Sequence, residues 1–171
     1  MKFRILMALT LLPGCATSVQ QNLSDSDIAM IMRVANIGEV REGEVARTKA
    51  TNTGVRDFAT MMVTEHTSQN NKAESELSRA DVASSDTTLS RELDAASGAA
   101  ADRLRPLSGA AFDRAYIERQ VDAHQSLLSM IDTKLMPSAK KKAVKEQLTE
   151  LRKLLDKHLA RARQIQGSLP R

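Results

Sequence analysis

The sequence predicts an all-α protein: an antiparallel four-helix bundle with a long helical crossover between its second and third helices. Three observations carry that expectation. Apolar residues recur at three- and four-residue steps over four long stretches, the spacing of helices that bury one face. With no Trp and 2% aromatic residues, the core must rest on Leu, Ile, Val, Met and Ala, which suit helices better than sheets. The 7 glycines and 4 prolines are too few for the frequent turns of an all-β chain. A chain of 171 residues is expected to form one domain with a sizeable core.

Residues 1–14 read as a cleaved signal peptide, with Lys2 and Arg4 ahead of an apolar run from Ile5 to Leu12. About eight apolar residues cannot span a hydrocarbon layer of roughly 30 Å. The following Leu12-Pro13-Gly14-Cys15 resembles the lipobox of bacterial lipoproteins. That resemblance implies cleavage before Cys15 and a lipid on it, anchoring the chain to the membrane. Ala16 after the cysteine resembles outer-membrane sorting, on the periplasmic side of the envelope. The alternative is a soluble periplasmic protein with a spare thiol. With Cys15, the sole cysteine, acylated, no thiol remains for catalysis or a disulfide. Removing Lys2 and Arg4 takes the 25 basic residues to 23 against 21 acidic ones. A nearly neutral surface with few aromatics argues against nucleic acid as a partner.

Residues 15–23 form a polar tether, 24–167 the bundle and 168–171 a tail. The first helix opens at Ser24 as N-cap, with Asp25 and Asp27 in its first turn and Leu23 set to staple onto Ile28. Its stripe is Ile28, Ile31, Met32, Ala35, Val45 and Ala46, with Glu39 and Glu42 projecting near the middle. A buried carboxylate is costly unless it is paired or ligating, so both need partners. Gly38 and Gly43 would let a neighbouring helix approach closely.

Thr51-Asn52-Thr53-Gly54 is a turn. The second helix then runs to about Ala80, with Val55, Phe58, Ala59, Met62, Ala73 and Leu77 buried and His66 inside the stripe. Glu39 lies about 13 residues before the turn and His66 about 13 after it, which puts the two level in an antiparallel pair. After a polar stretch, a helix from Leu89 to Leu104 spans about 24 Å, enough to carry the chain along a bundle. The third long helix runs from Ala110 to Leu135 and buries Tyr116, Ile117, Val121, His124, Leu127, Leu128 and Ile131. Pro137 is expected to end it.

The fourth, Ser138 to about Gln166, buries Val144, Leu148, Leu151, Leu155, His158, Ala162 and Ile165. Its basic outer side, from Lys140 to Arg163, is either a solvated face or one that rests on anionic lipid heads. Measured from Pro137, His158 sits about 12 Å away from the level of His124. The same count sets it beside Tyr116, so a Tyr116–His158 hydrogen bond is expected to compete with a place in any histidine cluster.

Three segments together resemble one family. They are Glu39-Val40-x-x-Gly43-x-x-Ala46 with Lys49-Ala50; Val55-Arg56-x-Phe58-Ala59-x-x-Met62-Val63-x-Glu65-His66-Thr67; and Ser108-Gly109-x-x-Phe112-Asp113-x-x-Tyr116 running on to Val121-Asp122-x-His124. Their order is similar to that of the bacterial domain of unknown function 4142 family, over roughly Asp27 to Ile165. The resemblance implies an exported, ferritin-like four-helix bundle and no established activity.

Di-iron proteins of ferritin-like fold use Glu-x-x-His on two helices. Here Val63, Val121 and Leu155 stand three residues before the histidines, so a di-iron oxidase is not expected. A mononuclear zinc, iron or manganese site from Glu39, His66 and His124, with His158 as a further candidate, remains open. The sequence leans instead to a non-enzymatic envelope lipoprotein, serving stress tolerance or partner binding, in which a buried polar cluster including Glu42 and Tyr116 sets helix register, with the metal-binding or redox bundle as the alternative. No phosphate-binding loop or nucleophile frame points to catalysis.

Overall fold

The computed structural model describes residues 23–170. The expected signal peptide, the expected lipidation site Cys15 and the expected tether before Leu23 lie outside the described residues. Within them the chain is an all-helical bundle. Its elements are α1 (Asp25–Lys49), α2 (Thr53–Arg79), α3 (Thr88–Leu104), α4 (Gly109–Met130), a π turn (Ile131–Leu135), the short α5 (Met136–Ser138) and α6 (Lys142–Ser168). None of the helices among the described residues is long and apolar enough to cross a membrane.

Local chemistry sets the helix starts. Ser24 caps α1 in a reciprocal box with Asp27, Asn52 caps α2 and Thr87 caps α3, each side-chain oxygen taking a backbone N–H that the first turn leaves free. Leu23 packs against the cluster that contains Ile28. α1 packs on α2 and α3, α4 on α6, and α2 on α6. A Cβ on Gly43 would lie 2.9 Å from Val63 Cγ2 and 3.3 Å from the Ala59 carbonyl, so the missing side chain brings α1 and α2 close together.

Two carboxylates pin the turns at opposite ends of the bundle. Asp113 of α4 accepts from the backbone N–H groups of Thr51 (3.1 Å) and Asn52 (2.9 Å) and from the Thr51 hydroxyl (2.6 Å). Asp25 at the start of α1 accepts from the N–H groups of Lys140 (2.8 Å) and Lys141 (3.0 Å).

Pro137 does not end the helix, contrary to the sequence expectation. The ladder widens into the π turn just before it, a device that accommodates an extra residue, and the chain continues to Ser138. The reversal therefore falls at Ala139–Lys141, held by Asp25, rather than at Pro137.

α1, α2 and α6, and α4 together with the π turn that continues it, contribute to two apolar clusters. One gathers Ala46, Phe58, Phe112, Tyr116, Ile117, Ala162 and Ile165. The other gathers Ile28, Met32, Leu77, Ile131, Leu148 and Leu155. Along every one of these helices the stretch between the two clusters carries buried polar residues: Asn36, Glu39 and Glu42; His66; Gln120 and His124; and His158. A polar layer thus crosses the middle of the bundle.

Candidate metal centre

The three histidines come from three helices and meet in that layer. His66 is 1% exposed, and His124 and His158 are fully buried. Their ring centroids lie 5.0 Å apart for His66 and His158, 5.5 Å for His124 and His158, and 6.0 Å for His66 and His124. One ring nitrogen from each lies within 4.8 Å of the other two.

The opposite nitrogen of each ring is occupied by an acceptor. His66 Nδ1 stands 2.8 Å from Asn36 Oδ1, and the Asn36 amide is oriented by donating to the Met32 carbonyl at 3.0 Å. His124 Nδ1 lies 2.8 Å from the Gln120 carbonyl, one turn back on the same helix. His158 Nε2 lies 2.9 Å from a Glu65 carboxylate oxygen, which Lys157 also holds. Asn36 Oδ1, a carbonyl and a carboxylate can only accept, which assigns the N–H of each neutral ring to these contacts.

The consequence is that three lone pairs face inward. His124 Nε2 is buried without a partner. His66 Nε2 and His158 Nδ1 confront each other at 3.2 Å with no proton between them in those tautomers. A second proton on His158 would satisfy both of its contacts, but burial opposes it and holds that ring down at about 4 in spite of Glu65. Burial likewise holds His124 at about 4 and His66 well below its ordinary value, the latter helped by the neighbouring histidines.

Rings whose outer N–H groups are fixed by carboxylate, carbonyl and amide oxygens while their inner nitrogens converge are the arrangement of metal-ligating histidines. A tetrahedral ion with metal–nitrogen bonds of about 2.0–2.1 Å separates its ligands by about 3.4 Å. The 3.2 Å pair already stands near that spacing.

The other site residues expected from the sequence fall differently. Glu39 does not face His66; Asn36 occupies that place. Asn36 lies 15 residues before Thr51 and His66 15 after it, so the pair is centred on Thr51, earlier than the middle of the turn from which Glu39 was counted. A shift of one and a half residues in the centre displaces the partner by three. Glu39 and Glu42 are buried one turn further along, beside Arg119 and Gln120.

His158 joins His66 and His124 rather than Tyr116. His124 stands 17 residues before Lys141 and His158 17 after it, which makes them level once the reversal lies beyond Pro137. The expected Tyr116–His158 hydrogen bond is absent, and the Tyr116 hydroxyl is buried without a partner. Its ring packs on Phe58 and Phe112 at centroid distances of 6.2 Å.

Three contributors were missed in the sequence. Asn36 falls on the stripe Ile28, Met32, Asn36, Glu39, Gly43, and Gln120 on the stripe Phe112, Tyr116, Gln120, His124, so periodicity alone could have found both. Glu65, next to His66 in the family-like segment, sits at the edge of its stripe, and only the approach of α6 gives it a role.

Fold and site together define an all-helical bundle with a buried three-histidine layer. Residues 12–165 match the family described as domain of unknown function DUF4142, and the chain belongs to that family. No curated protein matches it. Among solved structures it is similar to a candidate secreted protein, DUF305, from Streptomyces coelicolor, with a TM-score of 0.69 at 13% identity over 84% of this chain and 92% of that one. At that identity the likeness bears on the fold alone.

Proposed function

We propose that this protein is an exported metal-binding bundle that holds one transition-metal ion on His66 Nε2, His124 Nε2 and His158 Nδ1. The observation that carries the reading is the convergence of three buried, inward-facing lone pairs whose opposite nitrogens are all anchored to acceptors. Because the rings are neutral at neutral pH, no proton has to leave before an ion binds. Three imidazoles suit zinc, copper or iron, while manganese prefers carboxylate and water oxygens, so manganese drops from the candidates. Glu65 supplies a negative charge through the imidazole of His158. Three protein ligands leave a tetrahedral ion one position for an exogenous group.

The finer architecture belongs to the same proposal: a ferritin-like four-helix bundle with α3 as crossover, in which the usual carboxylate ligands are replaced by histidine. The chain is exported by residues 1–14, carries lipid on Cys15 and hangs by a short tether on the periplasmic side, at the outer membrane. The role is binding or buffering of the ion in the envelope, with stress tolerance as its physiological setting, and no catalysis is assigned.

Metal analysis of the purified protein, followed by titration of the metal-free form, tests the reading. One equivalent of zinc or copper with a raised melting temperature is expected, lost in His124→Ala. A histidine variant that loses stability while the wild type binds no metal would make the cluster a purely structural one.

A further inference from the structure

Away from the histidines, a cavity of about 210 Å³ lies between α1, α3 and α4. Val34, Leu93, Ala96 and Leu127 make much of its wall apolar, and Glu39, Glu42 and Arg119 supply its charges. Glu42 is committed: it accepts from Arg119 Nη2 at 2.8 Å and from Gln120 Nε2 at 3.3 Å. Glu39 is only partly so: Arg119 and Gln120 act on it as well, but its Oε2 is buried without a hydrogen-bond partner in a side chain only 4% exposed.

Arg119 attracts both carboxylates but hydrogen-bonds only Glu42, through Nη2, and Arg103 adds a further positive charge on the Glu42 side, so Glu39 is the carboxyl left with an unmatched buried oxygen. The missing partner of Glu39 is a cation with hydrogen-bond donors. A hard metal ion would need about six oxygen ligands, which these apolar walls do not offer. An ammonium group needs only a few acceptors, and a short alkyl chain behind it would cover the leucines.

We propose that this cavity binds a small primary alkylammonium ion, with its head on Glu39 Oε2 and its chain against Leu93, Ala96 and Leu127. Burial pushes both carboxyls up to about 7, the Glu39 charge adding to the rise of Glu42, so a bound cation takes the place of a proton that the pair otherwise retains.

Calorimetric titration with n-butylammonium chloride at neutral pH tests this. Saturable binding is expected, at least about tenfold tighter than for n-butanol, butyrate or 1,4-diaminobutane, the last because its second charge would lie among the leucines. Glu39→Gln removes the charge and Ala96→Leu fills the space; each is expected to weaken binding by at least about tenfold with circular dichroism unchanged. If Glu39→Gln fails to fold, Ala96→Leu on the surface-exposed α3 position carries the test. His66→Ala leaves this binding intact, which separates it from the metal site. Absence of saturable binding by the wild type, equal binding of butyrate, or unaltered binding in both cavity variants would overturn the proposal.

Discussion

The amide oxygen of Asn36 stands 2.8 Å from Nδ1 of His66, and that contact turns the free nitrogen of His66 toward the other two histidines. An outer partner of this kind sets ring orientation and tautomer, and its loss typically costs 10–100-fold in metal affinity. Asn36→Leu is expected to weaken zinc binding by roughly that factor, and to destabilise the metal-free protein by about 1–3 kcal/mol through the unsatisfied His66 N–H. Asn36→Asp keeps an acceptor in place and should retain most of the affinity. Equal affinities for wild type and Asn36→Leu by competitive titration would remove Asn36 from the site.

Glu65 does for His158 what Asn36 does for His66, with a full charge. Glu65→Ala leaves His158 Nε2 without its acceptor and frees Lys157. Metal affinity should fall about 10–100-fold, whereas Glu65→Gln, which keeps an acceptor oxygen, should lose less. Lys157→Ala tests the alternative that only the exposed ion pair matters. Such pairs contribute little, so it should change stability by less than about 1 kcal/mol and leave metal binding unaltered.

Stability against pH separates the two halves of the polar layer. His124 and His158 are held at about 4 in the fold, against 6.5 in the unfolded chain. The stability linked to them is complete above 6.5 and is lost as pH falls toward 4, by up to about 3 kcal/mol each. Glu39 and Glu42 are raised from 4.5 to about 7, so their contribution is complete below 4.5 and is lost as pH rises through 7. Between pH 4.5 and 6.5 the two trends oppose. The metal-free protein should show a shallow profile in urea unfolding, and Glu39→Gln should steepen it by removing the carboxyl that opposes the histidines. With zinc bound, protons compete for the same nitrogens only as pH nears 4, so the stability added by the ion should persist through this window and be lost near pH 4.

Gly43 tests the close approach of α1 and α2 that sets Asn36 against His66. A Cβ there meets Val63 and the backbone of α2, and the backbone cannot turn aside as a side chain can. Gly43→Ala should cost about 1–3 kcal/mol in spite of its better helix propensity. A gain in stability would mean that the helices have room to separate.

Much of the fold was legible in the sequence because it is written in local chemistry. The cap at Ser24, the stripes of the four long helices and the extra helix ending at Leu104 follow from spacing and side-chain type, and the family follows from ordered segments that span most of the chain. The same stripes marked His66, His124 and His158 as buried, and Glu39 and Glu42 as inward.

Which of those residues meet was decided only by tertiary structure. In an antiparallel pair, an error in the position of the reversal is doubled in the register of the partners. Counting from Pro137 set His158 beside Tyr116. The π turn, with Asp25 gripping the N–H groups of Lys140 and Lys141, moves the reversal along the chain and brings His158 level with His124. A smaller shift at Thr51, where Asp113 holds the turn, exchanges Glu39 for Asn36 opposite His66. The sequence by itself determined an all-helical chain of this family with three core histidines. The tertiary structure decided that the histidines close on one another while the two glutamates turn to Arg119 and Gln120, because register is set by long-range grips on the turns that no local pattern records.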